Sequence, residues 1–585
     1  MQNSNKDYDF VIAGAGLSGL TSAYYLKKIK PNLRILVLER SGTAGGLTGD
    51  WVDHRLGSKK RLQMPMHMIF REKYQNLISI VNEVGGEISP VFKGFDIITS
   101  NEKRHRLEMD DWASRNLPPP MHGLGMYLKL KLSLKQKWDL FKLGIVSAYC
   151  AKDILAGKME PKLLPNTLSL ESLGLLLGMG AESRDFLETV GPSIYNLHPW
   201  YTSAPRLAAV FAGTMMMTKN ALHYHVFNKN YNAAFINRYV ERLCSMGVEF
   251  SFWTEVRRLD SNSQGSAVEA VWAQKSSSEQ NSTRYICDNC GAENYALDRA
   301  FCTRCGLDRT LDFICEGKIQ KPVGSQLWQD PEKRGYTRIG CQHLITAMYP
   351  HMIAKLLPID SPLRQHPYVQ SCFSSRGNQT QLSVARIYYK KQVTNGDRKI
   401  TGTHNPAYVF NGCQSVFNNF GAEDLDYHGG DVVDALLDVG IIRDAFHPQE
   451  RIPKIIKDIQ RVYPDADPSL VEHVSFANIY PDVLYLSEQP AITGLHRFFN
   501  THRTGAKNWY VAGCHSGKIG IGMESAVESA LSTVNCWLED TGSPERTPLR
   551  PYELHRGCDI AAAFGKALLW WKSRGQSYQR LHKIS

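Results

Sequence analysis

Apolar and polar positions along the first forty residues predict a strand, a helix and a second strand. Phe10-Val11-Ile12-Ala13 is continuously apolar, as expected of a strand buried on both faces. From Leu20 onward, Leu20, Ala23, Tyr24 and Leu26 recur at helical spacing, and Leu33 to Leu38 supplies the next apolar run. Between strand and helix stand Gly14, Gly16 and Gly19, spaced G-x-G-x-x-G, and Glu39 closes the second run. Each of these has a physical role in a strand–turn–helix. Gly14 permits the tight turn, Gly16 lets a pyrophosphate approach the backbone, and Gly19 allows close helix–strand packing. The first helical turn, which contains Ser18, offers unpaired N–H groups and a positive dipole end to phosphates. Glu39 is placed to accept hydrogen bonds from ribose hydroxyls. Five features agreeing in order and spacing predict a dinucleotide site.

The pattern continues in the same style. Residues 231–246 predict a helix, Val248 to Phe252 a strand, and a hairpin leads on to Val268-Glu269-Ala270-Val271-Trp272. Later come an apolar run through Leu344-Ile345-Thr346-Ala347 and the segments Asn508-Trp509-Tyr510-Val511-Ala512-Gly513 and Gly522-Met523-Glu524. After Glu39 the chain carries a second glycine pair, in Arg40-Ser41-Gly42-Thr43-Ala44-Gly45-Gly46-Leu47-Thr48.

That second glycine pair, together with Val511-Ala512-Gly513 and Gly522-Met523-Glu524-Ser525-Ala526-Val527, resembles the amine oxidase and phytoene desaturase superfamily of FAD enzymes. The resemblance implies an α/β fold: a Rossmann-type, glutathione reductase-like FAD-binding domain interleaved with an α+β substrate domain. It also implies that Arg40, Gly45, Gly46, Leu47, Gly513, Met523 and Glu524 join Gly14, Gly16, Ser18, Gly19 and Glu39 around FAD. The backbone near Val256 would meet the adenine. The helix opening at Met523 would turn its dipole toward the reduced flavin ring. Gln63-Met64-Pro65-Met66-His67-Met68-Ile69-Phe70 resembles a segment of the carotenoid desaturases in particular, with Gln63 and Pro65 where those enzymes carry Glu and Gly. Ser525 and Ala530 replace small glycines of the closing helix, and Cys514-His515 follows Ala-Gly where many members have an acid. His67 and His515 fall inside motifs that approach the flavin and are the catalytic candidates.

Between these segments lie Cys287-Asp288-Asn289-Cys290-Gly291 and Cys302-Thr303-Arg304-Cys305-Gly306. Two C-x-x-C-G knuckles let four thiolates close a tetrahedral site, which predicts structural Zn2+ on Cys287, Cys290, Cys302 and Cys305 in an inserted ribbon. A rubredoxin-type iron site and a pair of redox disulfides are the competing readings. The expected organisation is FAD-binding for residues 1–115, 231–280, 317–358 and 491–540. Residues 116–230 and 359–490 form the substrate domain, 281–316 the ribbon, and 541–585 a C-terminal extension with a membrane-surface helix.

Composition narrows the class. With 43% hydrophobic content, 585 residues can bury a large core. The nine cysteines outside the knuckles are scattered, which suits free thiols in a reducing cytosol. The first strand begins so close to Met1 that no cleavable leader is expected ahead of it, and no apolar run reaches the roughly 20 residues needed to span a bilayer. The net charge of +11 comes without a nucleic-acid recognition module, so no nucleic-acid partner is expected. A solvated basic surface on a cytoplasmic protein is the first reading of that charge. Two basic segments rich in apolar residues, Met121 to Lys142 and Ile560 onward, add peripheral contact with a membrane as the second. The chemistry implied is hydride transfer from a substrate C–H bond to flavin N5, with oxygen or a quinone as the final acceptor. An apolar polyprenoid is the first substrate expectation. An amine or amino acid is the alternative, and a redox-neutral isomerase or a flavin-bearing docking protein stands behind both.

Overall fold

The computed structural model describes residues 8–52, 61–63, 69–92, 94–99, 103–158, 160–195, 203–209, 223–227, 231–275, 285–286, 293–294, 336–358, 360–374, 382–394, 400–403, 407–412, 430–437, 448–479, 498, 500–518 and 522–581. The apolar run at the start forms the strand Tyr8–Ala13, flanked in parallel by Ile35–Leu38 and Thr337–Thr346. Val248–Ser251 extends the parallel set beyond Ile35–Leu38, and Trp509–Val511 pairs in parallel with the end of Thr337–Thr346. The beginning of Thr337–Thr346 turns to a different partner, the antiparallel hairpin Thr254–Ser261 and Val268–Lys275. Registers Ala13↔Leu38, Ala13↔Thr346 and Thr346↔Val511 bring the carboxyl ends of four parallel strands to one edge. In an open α/β sheet, that edge is where ligands bind.

The pleat of Tyr8–Ala13 distributes its side chains between two cores. Phe10 and Ile12 join the cluster under the first helix, Leu17–Ile29. Val11 and Ala13 face the other cluster, with Leu344, Trp509 and Val511. The Asn508 side chain ties the hairpin to the parallel strands. Its Oδ1 accepts from Val268 N at 2.8 Å, and its Nδ2 donates to the carbonyls of Val268 and Gln342, each at 2.7 Å.

A second seven-stranded sheet runs in the order Val471–Ile479, Leu382–Tyr389, Asp431–Leu437, Ala407–Gly412, Ile400–Thr403, Gly94–Ile98, Arg104–Glu108. Among its pairings only Ile400–Thr403 with Gly94–Ile98 is parallel. Two stretches pair or pack away from their neighbours in sequence. Gly94–Ile98 and Arg104–Glu108 fall in the first FAD-binding segment by sequence, yet they form the end of the second sheet. Leu363, Tyr368, Val369 and Cys372, expected in the substrate domain, pack into the Rossmann-side core. Pairing and burial are tertiary matters that local periodicity does not report.

The long helix Leu134–Leu155 opens with a reciprocal cap between Ser133 and Gln136. The C-terminal helix Gly557–Leu581 lies antiparallel along it. Lys152 pairs with Asp559 at 2.7 Å, and a Cβ on Gly565 would stand 2.1 Å from the Ile145 carbonyl. The four cysteines of the expected ribbon lie outside the described residues. A short hairpin, Tyr285–Ile286 with Glu293–Asn294, brackets the first knuckle. Among the described residues no group of His, Cys, Asp or Glu is arranged to hold a metal ion.

Candidate active site

The first glycine loop sits at the carboxyl edge of the parallel strands. Gly14 adopts φ +108°, and a Cβ there would come within 2.6 Å of the Ala347 carbonyl, so both backbone and space require glycine. A Cβ on Gly19 would stand 2.0 Å from the Gly14 carbonyl, which is the close helix–strand approach expected of it. Gly16 behaves differently, because a Cβ there meets no protein atom within 4 Å. Protein packing does not demand a glycine at Gly16, whereas a phosphate lying against the backbone would. Leu17–Ile29 starts with no side-chain cap and no acid in its first turn, which leaves its N-terminal N–H groups for an anion. Ser18 lies buried in that turn, and its carbonyl accepts from the Ser22 hydroxyl at 2.8 Å.

Glu39 reaches back beneath this loop. One carboxylate oxygen accepts from Ala15 N at 2.8 Å, and the other from Ser41 N and Oγ, each at 2.9 Å. A carboxylate offers about four acceptor positions, so these bonds orient it and still leave capacity for a ribose hydroxyl. Gly45 N donates to the Ala15 carbonyl at 2.8 Å, and Gly16 and Gly45 form an isolated parallel bridge. The second glycine pair therefore runs alongside the first loop, with Gly46 exposed and Leu47 half-buried. Arg40 is exposed. Val256 is buried on a strand anchored to this region, where Thr254 N donates to the Glu39 carbonyl at 2.8 Å.

Gly513 and the closing helix Met523–Asp540 approach the same edge. Ala512 N donates to the Thr346 carbonyl, and Ala347 N to the Ala13 carbonyl, which links the late strand to the first loop. Three hydroxyls on one helix face fasten the helix to this strand. Ser525 Oγ donates to the Cys514 carbonyl at 2.8 Å, Ser529 Oγ accepts from Gly513 N at 3.0 Å, and Thr533 Oγ1 donates to the Val511 carbonyl at 2.6 Å. The departure from glycine at Ser525 thus has a function: its hydroxyl holds the chain after Gly513. Gly522, at φ +107°, precedes a helix that again lacks a side-chain cap, and Met523 is buried behind it.

Glu524 does something the sequence did not indicate. Its carboxylate accepts from Asn76 N and Nδ2 (3.1 and 2.8 Å), Leu77 N (2.7 Å) and the Tyr552 hydroxyl (2.9 Å). It caps the helix Gln75–Glu83 and clamps that helix to the closing one. Burial raises its pKa against those bonds. One turn on, Glu528 is fully buried and pushed up to about 7 by desolvation, which the Lys518 N–H at 2.8 Å and the Lys518 charge oppose. Lys73 is lowered to about 7 by burial, an effect that the Glu524 charge opposes. Apolar spacing gave no signal for these buried charged groups, because Glu524 and Glu528 sit in a helix pattern that reads as core and Lys73 in the turn before Gln75–Glu83.

His515 is buried with its ring between Phe498 and Tyr349, at centroid distances of 6.1 and 6.3 Å. A Cβ on Gly513 would fall 2.4 Å from His515 Cε1, so Gly513 is small in order to admit this ring. His67 lies outside the described residues. The strand just after it, Ile69–Phe70, pairs with Tyr224–Phe227, which brings that segment beside His223 and His225. His223 Nε2 lies 3.1 Å from the Met109 carbonyl, and Arg206 is buried. A further buried pair, Arg386 and Asp434, spans two strands of the second sheet with contacts of 2.7 and 3.0 Å.

Comparison with known proteins fits this geometry. The model for an NAD(P)-binding Rossmann-like domain matches residues 12–84, and that for flavin containing amine oxidoreductases matches residues 429–537. Among solved structures, a cyclohexylamine oxidase from Brevibacterium oxydans superposes with a TM-score of 0.56 at 14% identity, over 92% of this chain and 100% of that one. A putrescine oxidase bound to putrescine gives 0.57 at 14% identity, over 91% and 99%. Thiamine thiazole synthase from Eremothecium gossypii is 42% identical over 64 residues, which is 11% of this chain and only 19% of that relative's length. The whole-length likenesses show the fold, and the second family model ties residues 429–537 to the flavin containing amine oxidoreductases. The amine-oxidising alternative fits these findings better than the polyprenoid desaturase expected first.

Proposed function

We propose that the chain oxidises an amine, removing hydride from the carbon next to nitrogen, with FAD held along the carboxyl edge of the parallel sheet. The observation that carries this is the match of residues 429–537 to the flavin amine oxidoreductases. That stretch contains the hydroxyl-fastened strand and closing helix just described. Bound FAD supplies the hydride acceptor. The chain's own residues bind and orient it. Gly16 would leave room for phosphate, the uncapped N-terminus of Leu17–Ile29 would favour its negative charge, and Glu39, held by Ala15 N, would receive ribose hydroxyls. Arg40, Gly45, Gly46 and Leu47 would follow the phosphates, Val256 the adenine, and Gly513, Met523 and the Glu524 N–H the ring. His515, wedged beside Gly513, would border the substrate end. Cyclohexylamine oxidase and putrescine oxidase, the similar folds, are the reason for starting with primary amines.

Anaerobic bleaching of the bound flavin tests this reading, with a panel of amines and amino acids set against polyprenoids in detergent micelles. Reduction by an amine supports it. Reduction by polyprenoids alone would replace the substrate class and leave the cofactor site standing.

The proposal for the insertion is a structural Zn2+ on Cys287, Cys290, Cys302 and Cys305. Its support is the paired knuckle spacing and the hairpin that brackets the first knuckle. A closed four-thiolate site leaves no position for substrate and takes no part in the oxidation.

A further inference from the structure

The two basic, apolar segments noted in the sequence come together in the fold. On Leu134–Leu155 the exposed apolar residues are Leu134, Trp138 and Phe141, spaced i, i+4, i+7 on one face, and Trp138 stacks on Phe141 at 5.4 Å. On Gly557–Leu581, Ala562, Gly565 and Leu569 are buried, while Ile560, Phe564 and Trp571 lie outward at i, i+4, i+11. Leu134 is 87% exposed, Trp138 59% and Trp571 63%, values more typical of lysines than of large apolar side chains.

These faces are neighbours. The helices run antiparallel, pinned by Lys152–Asp559 and by the Gly565–Ile145 contact. Counting back along both from that crossing sets Trp138 and Phe141 level with Trp570 to Lys572. Independent contacts agree. Lys142 Nζ donates to the Leu177 carbonyl at 2.7 Å, and Lys572 Nζ lies 3.7 Å from where a Gly178 Cβ would be, so both lysines reach the same turn. Leu128, also exposed, adjoins Trp138, because its carbonyl accepts from Lys137 Nζ at 2.7 Å.

Charge decides what this face meets. Residues 121–142 hold five lysines and one acid, Asp139, which is buried against Lys142. Residues 560–585 hold five Lys or Arg and no acid. These 48 positions therefore carry +9 of the chain's net +11. The cations edge the aromatic rings: Arg574 lies 4.1 Å from the Trp570 ring centre, and Lys572 lies 5.3 Å from that of Trp571. A second copy of the chain would bring the same positive charge against itself, and like charges oppose that contact. No described helix is long and apolar enough to cross a bilayer.

We infer that the paired helices Leu134–Leu155 and Gly557–Leu581 form a docking face for the surface of an anionic lipid bilayer. Trp138, Phe141, Phe564 and Trp571 enter the headgroup–acyl boundary while Lys and Arg stay with the headgroups. The inference goes beyond the amine-oxidase reading and does not depend on it.

Co-sedimentation of the full-length flavin-loaded protein tests it. The vesicles are phosphatidylcholine alone or phosphatidylcholine with phosphatidylserine. Binding to the mixed vesicles should be at least about tenfold tighter, and should weaken strongly in about 1 M salt, where the screening length falls to about 3 Å. The variant Trp138→Ser/Phe141→Ser/Phe564→Ser/Trp571→Ser should lose binding about tenfold or more, with flavin content and Tm unchanged because all four residues are exposed. Lys131→Glu/Lys135→Glu/Lys572→Glu should abolish the preference for phosphatidylserine. The inference is overturned if wild-type protein ignores the mixed vesicles, or binds both kinds equally. It is also overturned if the aromatic variant binds as before, or if that variant instead splits a dimer found in solution.

Discussion

At Gly16 a Cβ would touch no protein atom, so under the proposed function it is the phosphate that requires glycine there. Gly16→Val should therefore fold with near-normal Tm yet lose bound flavin, read from the absorbance of the purified protein. A flavin-replete variant would remove the phosphate from that position. Gly14 and Gly19 are set by protein contacts, so valine at either should lower Tm as well. Glu528 makes a prediction of the opposite kind. Burial holds its pKa near 7 in the folded chain, against an ordinary value of 4.5. Between those values the folded protein keeps a proton that the unfolded chain has released, so this group's contribution to stability falls as pH rises from about 4.5 to 7 and is flat above. Glu528→Gln should flatten that slope and stabilise the protein at pH 8 by on the order of 1–3 kcal/mol. Urea unfolding at pH 5 and pH 8 measures it, and parallel behaviour of wild type and variant would show that the carboxyl does not titrate in this window.

At the scale of elements, pairs of segments are joined by a few buried polar contacts. The hydroxyls of Ser525, Ser529 and Thr533 recur every four residues and line one stripe of the closing helix, which is how a helix and a strand end come to share hydrogen bonds. Glu524, on another face, caps the helix Gln75–Glu83. In the second sheet, adjacent strands place Arg386 opposite Asp434, and both side chains are almost wholly buried. Arg386→Met alone leaves a buried carboxylate and should cost about 3–5 kcal/mol. Combined with Asp434→Leu, most of that loss should be recovered. Chemical denaturation of the two variants gives the comparison, and equal loss in both would mean the pair does more than neutralise itself.

For the whole molecule, the described hairpin Tyr285–Ile286 with Glu293–Asn294, which falls in the insertion by sequence, pairs with neither large sheet. Converting Cys287 and Cys290 to Ser should release one metal ion per chain and leave flavin reduction by substrate intact. Elemental analysis of the parent protein that finds iron, or no metal, would dispose of zinc.

The sequence by itself determined the glycine loops and the strands that meet at the carboxyl edge, where the FAD site is proposed. The glycine spacing, Glu39, the second glycine pair and the late Ala-Gly strand are local signals, because a backbone that turns tightly or meets a phosphate constrains residue type at fixed offsets. It also determined the two basic segments, since charge and periodicity need no fold to be counted. Tertiary structure alone decided the rest. Gly94–Ile98 joined the second sheet because strand partners come from distant sequence. Glu524 turned to Asn76 and Leu77, 448 and 447 residues away, because a buried carboxylate takes whatever N–H groups packing brings to it. The two apolar faces became one surface only when Gly565 let the last helix close onto Ile145. Which distant segments pair cannot be read from local spacing, and in this protein that pairing governs which charges are buried and which aromatic rings are left in water.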